Sequence, residues 1–245
     1  MDWPTSKKPD EMDGARAINI MAMKRAIFLL KEFGCDFKIA EQALEKLLKQ
    51  EIKVVNSKQV AGLKFFAVGL NDVDKELLVD GGAKGMSTFM SYYILKAVAS
   101  FDKPKAISMM KEYYGAMLEK GATSFWEDFD IEWCDGACRI DEFPKEGQKD
   151  IHGDFGAYCY KGFRHSLCHG WASGPAAFMA EYVLGIKPVA AGCEKITFKP
   201  HLGKLEWVKG TYPTPKGIIK VELSRKEDGS AETKIELPEG VSIAE

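Results

Sequence analysis

Three stretches of the chain gather side chains able to do chemistry. In TSFWEDFDIEWCDG (123–136) the acids Glu127, Asp128, Asp130 and Glu132 crowd together beside Trp126 and Trp133. Like charges and apolar rings both raise carboxylate pKa values, which tunes such groups for proton transfer. In RHSLCHGWASGP (164–175) His165 and His169 precede a Gly-rich entry into a helix, where an imidazole can hydrogen-bond a ligand hydroxyl or a backbone carbonyl. In DWPT (2–5) Trp3 stands before a proline at the edge of the first helix. Aromatic faces stack on the C–H faces of sugar rings, and a neutral polyol is held by shape and hydrogen bonds. Each stretch also has a plainer reading: a solvated acidic loop, packed histidines, and a tryptophan anchoring a loose end.

Cys134 and Cys138, followed by His165 and His169, are zinc-ligand types, but the segment between the pairs is far longer than in compact zinc fingers. No metal and no cofactor is expected. Six cysteines in 245 residues are too sparse for a disulfide scaffold, and most read as free thiols.

The elements that must position these residues are helices followed by strands. Residues 14–33, 59–70 and 87–101 are apolar around most of the helical circumference, with Gly34 a C-cap and Ser87 an N-cap. Such helices are expected to be enclosed on several sides. Between and after them come striped segments, Ala40, Ala43, Leu44, Leu47 and Leu48, then Ile107, Met110, Tyr114, Met117 and Leu118, each with a polar opposite face. Alternation of the two kinds predicts an inner set of helices enclosed by an outer set. A long irregular stretch, 121–165, is rich in Gly, Asp and aromatics, and loops of that length in compact domains are usually functional or disordered. A sixth helix is expected over 173–186. From Pro188 the apolar period becomes two, through Ile196 and Phe198, Leu205 and Trp207, Ile219, Val221 and Leu223, and Ile235 and Leu237, with KEDGS (226–230) as a hairpin turn. This predicts two domains: 1–187, helical, and 188–245, antiparallel β.

The totals narrow the partners. With 34 basic and 36 acidic residues well mixed, no broad basic face is available to track phosphates, so nucleic acid is not expected. No apolar run approaches the roughly 20 residues that cross a bilayer, and none is expected to span a membrane.

DWP, STFMSYY, GATSFWEDFD, RHSLCHGWASGPAAFMAEYVLGIKP and GCEKITFKPHLGKLEWVKGTYPTPKGIIKVEL occur in an order that resembles the C-terminal part of an α-L-rhamnosidase of glycoside hydrolase family 78. The last two are the most specific, through the Gly-Ile-x-Pro turn and the PTPKG hairpin. The resemblance implies the second half of an (α/α)6 barrel, about six helices, followed by a small antiparallel β-sandwich. It also implies inverting hydrolysis of terminal α-L-rhamnose in a glycoside or polysaccharide. In that mechanism one carboxylic acid protonates the leaving oxygen while a carboxylate roughly 6.5–9.5 Å away activates water. By the same resemblance Glu127 is the general base, and His169 and Trp3 hold the rhamnose.

The acidic, Arg- and Trp-containing motif that carries the family's general acid is not found in this sequence. The chain is therefore expected to be part of a longer enzyme, inactive alone, and to self-associate through the exposed face of a half-barrel. The segment between Glu127 and His169 is longer than in many members, which leaves the sugar preference open. Two alternatives stand beside this reading: a helical-toroid glycosidase for another sugar, and a non-catalytic carbohydrate-binding or scaffolding module.

Overall fold

The computed structural model describes residues 9–54, 56–151, 153–155 and 165–244. They form two compact units, Met1–Ser173 and Gly174–Glu245. Trp3 lies outside the described residues.

The first unit is built from helical hairpins. The helices are α1 (Pro9–Glu32), α2 (Lys38–Leu48), α3 (Lys58–Val68), α4 (Asp72–Val79), α5 (Ser91–Ala99) and α6 (Lys103–Glu119). α1 packs on α3 and α3 on α5, while α2, α4 and α6 pack on α1, α3 and α5 respectively. The odd-numbered helices thus form one layer and the even-numbered ones a second, which is the alternation that the apolar and striped segments predict. α3 shows why the inner layer is apolar all round: Val60, Ala61, Gly62, Leu63 and Ala67 are all buried between its neighbours. At Gly62 an added Cβ would sit 3.1 Å from Ile94, so the glycine sets how closely α3 and α5 approach. α2 buries no residue fully.

α1 departs from expectation. It buries Ala17 and Ile20 but leaves Phe28 and Leu29 exposed, because among the described residues only α2 and α3 pack substantially against it. A further helix, α4, is started by a signal too short to stand out as a period. The Asn71 side chain accepts from the Asp74 backbone N–H at 2.8 Å, and Asp74 returns the bond to Asn71 N–H at 3.0 Å. Asp74 also pairs with Lys64 at 2.7 Å, tying α4 to α3.

The second unit holds α7 (Gly174–Tyr182) and six strands. β1 (Ile186–Pro188), β2 (Lys195–Phe198) and β6 (Ser242–Ile243) form one sheet in the order β1-β2-β6. β3 (Trp207–Thr214), β4 (Gly217–Arg225) and β5 (Ala231–Glu236) form the other, an antiparallel meander. β4 shows the period of two directly: Ile219, Val221 and Leu223 point into a core with Ile186, Ile196, Leu202 and Val241, and Lys220, Glu222 and Ser224 point out. The β2–β6 pair is parallel, unlike the antiparallel arrangement expected. A parallel neighbour needs a long crossover, and the β3–β4–β5 meander supplies it. The period changes at 188, whereas the compact units divide at 173/174, since α7 packs with β1.

Gly185, in the turn between α7 and β1, has φ +80°, and a Cβ there would lie 2.3 Å from the backbone of Lys199 and Pro200. Both the left-handed conformation and the contact reject a side chain. Gly185→Ala is therefore expected to cost about 2–5 kcal/mol, read as a lower denaturation midpoint with an unchanged slope.

Candidate active site

The acids of 127–132 are alike in sequence, and the fold separates them. Glu132 is exposed and pairs with Lys84 at 3.2 Å. Asp130 caps a turn of 3-10 helix (Ile131–Cys134), accepting from the Glu132 N–H at 2.9 Å. Glu127 alone of these three turns to the segment bearing the histidines: its Oε2 accepts from the Ser166 N–H at 2.9 Å and lies 3.9 Å from His169 Nδ1.

Two irregular segments far apart in sequence are laced together at this point. Glu127 N–H donates to the Ser166 carbonyl and His169 N–H to the Phe125 carbonyl, both at 2.8 Å, and the Ser124 hydroxyl donates to the Leu167 carbonyl. The Glu127 carbonyl accepts from Trp171 Nε1 at 2.8 Å and from the Thr88 hydroxyl at 2.5 Å. Thus a loop with neither helix nor strand in it is held by bonds to its backbone on both sides of Glu127. The carboxylate and the imidazole remain partly open to solvent, at 14% and 32% exposure, so a ligand can reach them.

The floor beneath Glu127 is aromatic and buried. Trp126 and Phe129 are each 1% exposed. Phe129 meets Tyr113 at 5.2 Å, Trp126 at 5.7 Å and Trp133 at 6.4 Å, all edge-on, while the Tyr113 hydroxyl donates to the Phe129 carbonyl. Within FWEDF, Trp126 and Phe129, three positions apart, thus turn inward as anchors, and Glu127 stays at the rim. His165 is buried, with its ring edge-on to Trp133 at 5.8 Å, in the packed position that its plainer reading gives it. His169 instead lies beside the indole of Trp171, at 4.5 Å between ring centres, next to which Phe89 packs at 5.8 Å. Burial pushes the Tyr114 phenol well above its ordinary range, so it stays protonated and serves as a hydrogen-bonding group.

Of the sequence-derived residues, Glu127 and His169 are brought together, across 42 positions of chain, and Trp3 falls outside the described residues. Thr88, Ser166 and Trp171 were not singled out by type or spacing. Their signal is only their place in STFMSYY and RHSLCHGWASGP, the stretches that carry the resemblance. Among the described residues no three His, Cys, Asp or Glu side chains gather in a metal-binding group, and no helix is long and apolar enough to cross a membrane.

Residues 185–244, most of the second unit, match the bacterial alpha-L-rhamnosidase C-terminal domain family. Solved structures extend the likeness into the helices. The family 78 rhamnosidase of Bacillus sp. GL1 superposes with a TM-score of 0.68 at 19% identity, covering 91% of this chain and 25% of that one. The chain has the fold of part of a family 78 rhamnosidase. The Streptomyces avermitilis alpha-L-rhamnosidase, solved with L-rhamnose, gives a TM-score of 0.69 at 15% identity over 94% of this chain and 22% of its own. The enzyme of Dictyoglumus thermophilum gives 0.64 at 18% identity, over 92% and 25%. The chain spans about a quarter of the length of each of these rhamnosidases. No curated protein sequence matches it. In this chain the helical hairpins precede the β strands, and the laced segments 123–130 and 165–171 lie in the first unit, after its last hairpin.

Proposed function

We propose that these residues form part of an inverting α-L-rhamnosidase, a hydrolase of terminal α-L-rhamnose in glycosides or polysaccharides, in which Glu127 is the general base. The observation that carries this reading is the convergence of Glu127 and His169 at a partly open rim, 3.9 Å apart. A carboxylate can take a proton from water as that water attacks the anomeric carbon, and an anchored carboxylate does so without first paying to be ordered. The Ser166 N–H fixes Oε2, and His169 is placed to hydrogen-bond a sugar hydroxyl beside the attacking water. Trp3 is proposed as a stacking platform for the ring. The acid that protonates the leaving oxygen is assigned to the portion of the rhamnosidases that this chain does not span. Needing no metal or cofactor, this chemistry requires only two carboxyl groups on opposite faces of the sugar.

The test is hydrolysis of a panel of aryl glycosides by the full-length gene product, followed by proton NMR. An aryl α-L-rhamnoside is expected to be cleaved fastest, with β-L-rhamnose the first anomer released. First release of the α anomer would exclude inversion, preference for another glycoside would change the sugar, and binding without turnover would favour a carbohydrate-binding module.

A further inference from the structure

We propose that Thr88 is a positioning residue for Glu127, a proposal that rests on the reading of Glu127 as the base. Thr88 and Ser91 are completely buried at the start of α5, and Tyr114 of α6 is buried beside them. The Ser91 hydroxyl donates to the Thr88 carbonyl at 2.9 Å and lies 2.6 Å from the Tyr114 hydroxyl. Either hydroxyl can be the donor in the second contact, and the Tyr114 hydroxyl also lies 3.4 Å from the Thr88 carbonyl and 3.3 Å from that of Ala172. The Thr88 hydroxyl in turn donates to the Glu127 carbonyl at 2.5 Å. Hydrogen bonds therefore run from α6 through α5 to the backbone of the base.

Removing hydroxyls from water is costly unless each is hydrogen-bonded. Here three of them are buried side by side, and the series ends on one residue of an irregular loop. That residue carries the carboxylate. The second donor to the same carbonyl, Trp171, comes from the segment bearing His169, so one oxygen atom ties together α5, the base loop and the histidine loop. A shift of about 1 Å at a reacting group can cost 10²-fold in rate, which is why a buried hydroxyl that never touches the sugar matters to turnover.

The experiment uses the full-length gene product and an aryl α-L-rhamnoside. Thr88→Val keeps the branched shape and removes the donor. Its kcat is expected to fall about 10- to 100-fold with KM little changed, because the base acts in the transition state. Thr88→Ser restores the donor and is expected to recover most of that loss, whereas a merely structural role would show in the melting temperature of both variants and leave kcat alone. Wild-type kcat in Thr88→Val, or an equal loss in Thr88→Ser, overturns the proposal. Should Thr88→Val fail to fold, Trp171→Phe removes the other donor while keeping a ring, and wild-type kcat there overturns it equally. Glu127→Gln is measured alongside. If it retains turnover, the base reading falls and the positioning role with it; if it is dead while Thr88→Val is normal, only the positioning role falls.

Discussion

Glu127→Gln is expected to lower turnover of an aryl α-L-rhamnoside by about 10²–10⁴-fold in the full-length gene product, with the melting temperature almost unchanged. The amide oxygen of glutamine can still accept from the Ser166 N–H, as Oε2 does at 2.9 Å. The backbone bonds from Thr88 and Trp171 do not involve the side chain at all. The loop should therefore stay in place while the proton acceptor is lost, which separates chemistry from folding in a single substitution. Substrate binding should survive, since KM falls to the sugar contacts of other residues. Azide, a nucleophile that needs no deprotonation, is expected to restore turnover partly and to give β-L-rhamnosyl azide. Near-normal turnover without azide would remove Glu127 from the mechanism.

Phe129→Ala is expected to be the most damaging change to stability, at about 3–5 kcal/mol, against a total of roughly 5–15 kcal/mol for a domain. The ring is 1% exposed and meets Tyr113, Trp126 and Trp133, so its removal leaves three aromatic neighbours facing a void. Rings of this size resist collapse into such a space. The damage should not stay local, because Phe129 lies two residues from Glu127 and anchors the same loop. Urea denaturation of this chain followed by tryptophan fluorescence checks the figure. Phe143→Ala is the control: that side chain is 96% exposed, and its loss should cost no more than about 0.5 kcal/mol. A Phe129→Ala midpoint as high as the control's would show that the aromatic floor does not hold the loop.

Much of the scaffold is legible along the chain. Helical period distinguishes the all-apolar inner segments from the striped outer ones, and the period of two after residue 188 announces the strands, because these patterns are local consequences of which faces must leave water. The β2–β6 parallel pair and α4 are not legible in that way. The first depends on where a crossover ends, and the second rests on a short capping box whose pattern spans too few residues to register as a period.

The candidate site divides along the same line. Residue types, order and motif spacing single out TSFWEDFD and SLCHG and, by resemblance, Glu127 and His169 within them. Nothing in the chain's own chemistry separates Glu127 from Asp130 or Glu132, since all are carboxylates near aromatics. The tertiary structure separates them, giving Asp130 a cap, Glu132 a surface lysine, and Glu127 the backbone of Ser166 and the company of His169. Its partners lie 39 residues away at Thr88 and Ser166 and 44 away at Trp171. Separations of that size carry no periodic trace in sequence; they are set when buried hydroxyls and rings find partners in the packed core, and only then does one acid among several come to face the histidine.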